Sequence, residues 1–438
     1  MLLPFFLSER TTGFMDWIVI IAVLLLEAVL ALWLLYSSRV LINTKIWVIA
    51  VFLLVLALGT RAAVFDYETL DYQNFLARWV DFFREYGNFK ALRYSVGNYN
   101  IPYLYFLAFF SVLKVNDLFL IKLLSTLTDI LLAWGALLLC SLVCDRPGRK
   151  LASFFTVLLL PSVFLNSAVW GQCDSMYVAP LLIGIYCALK DRPWTSMILA
   201  AIAFGFKLQA VFLLPIYGVF LLTGRIKPKH ILAFPATYLV LVLPAVGFGR
   251  PFWETITLYF SQTGSIGSGL NYNSPSIFSV FVNIQNKEAA ATTAIIFAFV
   301  FMLNVLAVSW AKRESLTDRA IMALTLLLAI GIPFLLPHMH ERYFYGADIV
   351  SVVLAFTAPA FFAVPLFVQF ASLLGYHAYL KMRYLLLMNY GAAALVVAFA
   401  LTVLCFLSSL QDPPKKNHRR KPVRNTPAAK PKKQKKPS

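Results

Sequence analysis

The sequence predicts an all-α polytopic membrane protein: a helical bundle of about thirteen transmembrane helices, with a juxtamembrane helix in its first large outward (periplasmic or extracellular) loop. Three observations carry that prediction. Hydrophobic residues make up 60% of the 438-residue chain and charged ones only 13%, too little polar surface to clothe a soluble core of that size. Apolar runs of roughly 15 to 25 residues recur along the chain, the helix length that a bilayer core of about 30 Å selects. The strict alternation of a transmembrane barrel is missing.

The apolar runs fall at residues 17–36, 46–65, 117–142, 150–168, 175–190, 194–208, 210–223, 230–248, 290–310, 319–336, 347–360, 361–376 and 385–408. The first follows Glu9 and Arg10 and has no small-residue cleavage site after it, so it is expected to be a retained helix rather than a removed leader. Residues 100–114 open on Ile101 and Pro102 and are too few to cross; they are read as the juxtamembrane helix. Short basic loops set the orientation: Arg39 with Lys45, Asp145 to Lys150, Lys190 to Arg192, Arg225 to Lys229, and Lys312, Arg313 and Arg319 all belong on the cytoplasmic side. Loops 65–116, 169–174, 249–288 and 337–346 then face outward. From Pro413 the chain carries eleven lysines and arginines and no acid, which predicts a disordered cytoplasmic tail drawn to anionic lipid headgroups. It lacks the interleaved aromatics and folded reader of a nucleic-acid binder. The chain thus divides into N-terminal helices 1–65, a first outward loop 66–116, a bundle 117–410 and a tail 411–438. Cys140, Cys144, Cys173, Cys187 and Cys405 lie mostly inside apolar runs and read as small buried hydrophobes rather than a disulfide or metal set.

The outward loops hold the chemistry. Asp66, Glu68, Asp71 and Asp81 form the densest group of carboxylates, and Asp66 and Asp71 emerge from the membrane directly after the second apolar run. Trp170, Gln172 and Asp174 place an indole, an amide and an acid at a helix junction; the ordinary alternative is that Asp174 or Ser175 caps the next helix. Lys207 and Gln209 fall inside an apolar run, where an ammonium must snorkel, pair or face a polar cavity. In Pro337 to Tyr343, two of the five histidines (His338, His340) join Glu341 and Arg342. A guanidinium fork matches phosphate oxygens, so phosphate contact is favoured. Structural pairing, or a divalent metal on His338, His340 and Glu341 without a third strong ligand nearby, are lesser alternatives. The glycines between Gln262 and Pro275 do not fit a nucleotide-binding loop and suggest a flexible cover.

Taken in order, these motifs resemble the GT-C superfamily of integral-membrane glycosyltransferases, and within it the bacterial relatives of the GPI mannosyltransferase that adds the second mannose. The motifs are the acidic loop with Asp71–Tyr72 and Trp79, the stretch Tyr99 to Tyr105, Asn166 to Asp174, Lys207-Leu208-Gln209 and Met339 to Tyr343. Asn100-Ile101-Pro102-Tyr103 stands where the usual pattern is Tyr-Pro-Pro-Leu, Leu208 replaces a proline, and one helix is added at the N-terminus. The resemblance implies a GT-C-like bundle and a polyprenyl- or dolichyl-phosphate monosaccharide donor, with a mannose-like hexose moved on the outer face to a hydroxyl of a glycan or lipid-linked acceptor. A carboxylate would take the acceptor proton with inversion, Asp66 first and Asp71 second. Arg342, His340, His338 and Lys207 would meet the leaving phosphate. Trp79, Tyr99, Trp170, Gln172, Asp174, Gln209, Glu341 and Tyr343 would line the substrate pocket. These residues fix no cofactor, and a divalent metal stays open. A lipid-linked glycan flippase would instead show inverted repeats and midplane charge; a membrane glycan polymerase shares the substrates and is separated less well.

Overall fold

The structure, a computed structural model, describes residues 13–263, 267–281 and 283–411; Glu9, Arg10 and the basic tail lie outside them. Among the described residues the regular structure is helical apart from one two-residue ladder. In order come α1 (Phe14–Ser37), α2 (Thr44–Ala62), α3 (Ala77–Glu85), α4 (Ile101–Phe110), α5 (Asp117–Val143), α6 (Pro147–Leu158), α7 (Pro161–Phe164), α8 (Asp174–Leu189), α9 (Pro193–Phe206) and α10 (Pro215–Leu222). Then follow α11 (Pro228–Ile231), α12 (Ala233–Gly247), α13 (Phe252–Ile256), α14 (Leu258–Thr263), α15 (Lys287–Ala311), α16 (Asp318–Leu335), α17 (Tyr345–Thr357), α18 (Val364–Leu380) and α19 (Met388–Ser409). Asn43, Asn116, Asn286 and Thr317 accept backbone N–H groups at the starts of α2, α5, α15 and α16, as caps should. Proline opens α6, α7, α9 and α10, where its missing N–H costs nothing.

Every apolar run becomes helical, but among the described residues only eight helical spans are long and apolar enough to cross a bilayer alone: α1, α2, α5, α11 with α12, α15, α16, α18 with the turn before it, and α19. A ninth would be α6 with α7 and the turn after it, bent by 45°. The expected count of about thirteen is not reached by this measure, because proline cuts the runs. Pro161 breaks α6 from α7, and the run 210–223 shrinks to a 3-10 turn and the eight-residue α10. Four further apolar helices, α4, α8, α9 and α17, are shorter. Ten residues give α4 a length of about 15 Å, half of what a crossing requires; it packs against α9 and α12.

Helix α5 is the spine, flanked by α1, α6, α8 and α17. The loops expected to face outward meet one another at one end: Asp71 bonds Trp170, Tyr99 bonds Gln172, Arg250 bonds the Tyr94 carbonyl, and Asn271–Tyr272 pairs in parallel with Met339–His340. The basic loops meet at the other: Lys150 bonds the Ser38 carbonyl, Arg225 faces Asp318, and Thr317 bonds the Ser409 carbonyl. All five cysteines are free, four of them buried and Cys144 half-buried.

Candidate active site

Helix α2 delivers the acidic loop, and Lys122 on α5 fastens it by donating to the carbonyls of Val64 at 3.1 Å and Tyr67 at 2.6 Å. The chain then turns through a π-helical segment, Tyr72–Leu76, and Asp71 lands at its start. Two donors share one oxygen of that carboxylate: Trp170 Nε1 and Gln172 Nε2 each reach Asp71 Oδ2 at 2.9 Å. Two bonds on one oxygen fix the rotamer, and both fall on Oδ2 rather than Oδ1. The Tyr379 hydroxyl lies beside the carboxylate without a formed bond. Asp66, the first choice by nearness to the membrane exit, is instead solvent-exposed, and the charge beside it is Lys122. The structure thus brings Asp71, and not Asp66, into contact with Trp170, Gln172 and Arg342.

The second motif is held open by another π segment, Leu165–Val169, and by Gly171 at φ 76°. There a side chain would strain a left-handed backbone. Trp170 is fully buried and stacks on Tyr379 at 4.0 Å between ring centres. Asp174 opens α8 but caps nothing with its side chain: Lys207 Nζ reaches Oδ1 at 2.6 Å and Asn166 Nδ2 reaches Oδ2 at 2.8 Å. Lys207 is thus paired rather than snorkelling. It lies 5.7 Å from the centre of the Tyr99 ring, and the Tyr99 hydroxyl donates to Gln172 at 3.0 Å. Trp79 meets Tyr99 edge-on at 5.6 Å.

Arg342 closes the cluster. Its Nη1 is 2.9 Å from Glu341 Oε1 and 4.0 Å from Asp71 Oδ2; its Nε is 3.8 Å from Asp174 Oδ2 and has no hydrogen-bond partner. The guanidinium also lies 5.1 Å from the Trp170 ring centre. Burial raises the Glu341 carboxyl above its ordinary range against the pull of Arg342. His340 stacks on Tyr272 at 4.7 Å, and burial, then Arg342, push its imidazole down to about 4, so it is neutral at pH 7. Tyr343 packs beside His340 and against Gln209. His338 goes elsewhere: its Nδ1 contacts the Gly269 carbonyl at 2.7 Å and its backbone N–H donates to the Leu270 carbonyl, both fastening Gly269 and Leu270 beside the His340 segment. Among the described residues no group of three His, Cys, Asp or Glu side chains is placed to hold a metal.

Residues 71, 174, 207 and 342, far apart in sequence, therefore meet in one cluster of side chains, with Trp170, Gln172, Tyr99 and Glu341 around them. Sequence reasoning overlooked Tyr376 and Tyr379, which line one face of α18, and Lys122, Asp129 and Arg61. The tyrosines offered only an i, i+3 spacing in an apolar run; the three charges were visible as ionisable residues within apolar runs. The family model of glycosyltransferase family 87 matches residues 98–337, more than half of the chain. The chain belongs to glycosyltransferase family 87. No curated protein matches it. This membrane glycosyltransferase keeps its Asp71 and Arg342 outside the matched segment, one on each side of it.

Proposed function

We propose that this family 87 transferase moves a monosaccharide, a mannose-like hexose, from a polyprenyl-phosphate donor to a hydroxyl of a glycan or glycolipid on the non-cytoplasmic face. The observation that carries the reading is the meeting of a doubly oriented carboxylate, Asp71, with a guanidinium whose Nε is unpartnered, Arg342. Asp71 Oδ1 accepts the acceptor's proton as the acceptor oxygen bonds to the anomeric carbon. The bond from that carbon to the phosphate oxygen breaks on the opposite face, and its electron pair leaves on the phosphate, giving inversion. A polyprenyl monophosphate needs counter-charge more than a proton. Arg342 supplies that charge, with Lys207 behind Asp174. The loose contact of 4.0 Å between Arg342 and Asp71 is the one that donor binding exchanges for phosphate. Neutral His340 serves as a hydrogen-bond partner rather than a cation. The site lies at the end of the bundle away from the basic loops, which supports a non-cytoplasmic location. The basic tail adds attraction for anionic lipid.

Purified full-length protein given a panel of polyprenyl-phosphate sugars tests this directly. Product formation in detergent, where there are no two compartments, separates a transferase from a flippase. Asp71→Asn should lower kcat on the order of 10²- to 10⁴-fold, while Asp66→Asn stays within about threefold. Undiminished transfer by Asp71→Asn removes that residue as base.

A further inference from the structure

Helix α5 carries two charged side chains a heptad apart, Lys122 and Asp129, both fully buried. Lys122 fastens the loop that leads to Asp71. Asp129 does something comparable for the other half of the site. Its Oδ2 receives Arg61 Nη2 at 3.0 Å and Nε at 3.3 Å. Arg61 directs its remaining donors to the carbonyls of Ala57 at 3.1 Å and Leu158 at 2.7 Å. The latter carbonyl lies at the break before Pro161, where the helix ladder fails: the N–H that would have met it, Ser162, turns to the Gln369 side chain. Asp129 then accepts short hydrogen bonds from two serine hydroxyls, Ser167 on Oδ2 and Ser175 on Oδ1. Ser175 also meets the Tyr345 hydroxyl at 2.9 Å.

Ser167 and Ser175 bracket the turn that presents Trp170, Gln172 and Asp174. One carboxylate therefore ties down both ends of the segment that aims Asp71. A buried ion pair is a weak stabiliser compared with apolar side chains of similar volume, so this one is better explained by what it orients. We propose that Asp129, locked by Arg61, is a positioning residue for sugar transfer, holding the Trp170–Asp174 turn in the register that orients Asp71. The inference rests on the reading of Asp71 as base. Arg61 lies outside the segment matched to the family, so the N-terminal hairpin α1–α2 becomes part of the active-site scaffold.

The test uses the full chain in lipid nanodiscs, with polyprenyl-phosphate mannose as donor probe and octyl mannoside as acceptor probe. Two variants are compared with wild type: Asp129→Asn, and Ser167→Ala with Ser175→Ala, which keeps the ion pair and removes the ties, together with the serine contacts to the Val163 carbonyl and the Tyr345 hydroxyl. Cys173 lies inside the turn and is 1% exposed, so its alkylation by N-ethylmaleimide, read by peptide mass spectrometry, reports the turn independently of activity. Cys140 and Cys405 are buried elsewhere and report the global fold. The double serine variant should lose kcat on the order of 100-fold, with donor KM within about threefold. Cys173 labelling should rise about tenfold, with Cys140 and Cys405 unchanged. Wild-type kcat with a protected Cys173 overturns the proposal, as does labelling that rises at all three cysteines. If wild type transfers nothing from this donor, the sugar-transfer reading fails separately, and continued Cys173 protection in the variants then also overturns the bracing.

Discussion

Two guanidiniums in this molecule are surrounded by acids and carbonyls in opposite ways. Arg61 is fully buried, and its Nε, Nη1 and Nη2 all donate to a carboxylate or a carbonyl within 3.3 Å. Arg342 meets three carboxylates, yet only Glu341 comes within hydrogen-bonding distance, and its Nε donates to nothing. The difference separates scaffold from site. A buried donor left unfilled costs stability, and a protein tolerates that cost where a ligand completes the set. Saturation fits a brace; slack is what the proposed donor phosphate would fill.

The contrast can be broken from either side. Arg61→Leu leaves Asp129 buried without its cation and should destabilise the protein by about 3–5 kcal/mol, seen as a lower apparent midpoint in thermal unfolding. Adding Asp129→Leu should return most of that stability, because apolar side chains replace a buried pair at little net cost. Activity should not return with it, since the ties to Ser167 and Ser175 stay lost. Recovery of both together would reduce the pair to packing. Arg342→Lys reverses the pattern. It should cost kcat on the order of 10²- to 10³-fold, because an ammonium cannot repeat the fork, yet move the unfolding midpoint by less than about 3 °C.

A smaller effect is expected one layer out. Gly97 has φ 64°, and a Cβ there would come 2.5 Å from the Trp79 ring, which itself rests on Tyr99. Gly97→Ala should therefore push the indole, disturb the Tyr99–Gln172 hydrogen bond and lower kcat by about tenfold or less. Should kcat stay at wild type, the aromatic layer is not coupled to Gln172.

The bundle was legible in the sequence because bilayer thickness selects run length, and every run became helical. The count was not, because proline and the extended Lys207 shorten helices without changing local hydropathy. The loops that build the site were legible from their unusual polar residues. Which aspartate joins the cluster was not. Nearness to the membrane exit pointed to Asp66; the π turn at Tyr72 brings Asp71 to the donors of Trp170 and Gln172, a hundred residues on, and such a meeting is tertiary information. His338 and His340 look equivalent in sequence. The parallel ladder to Asn271 and Tyr272 sends one to the loop above and the other to the site.

His340 gives the mildest prediction and the one most sensitive to electrostatics. An ordinary histidine gains its proton near pH 6.5, but burial and the adjacent Arg342 hold this imidazole neutral until about 4. Between those values the unfolded chain binds a proton that the folded chain refuses, so stability at this position falls as pH drops from about 6.5 towards 4. His340→Gln should weaken that acid sensitivity, measured as a smaller shift of the unfolding midpoint between pH 7 and pH 5. On activity, an imidazole acting only as a hydrogen-bond partner is worth little beside Asp71 and Arg342. The variant should keep kcat within about tenfold of wild type, with an unchanged profile between pH 5 and 8. An acid limb near pH 6.5 that vanishes in His340→Gln would mean that the imidazole titrates during turnover, and that Arg342 does not share its cationic role alone.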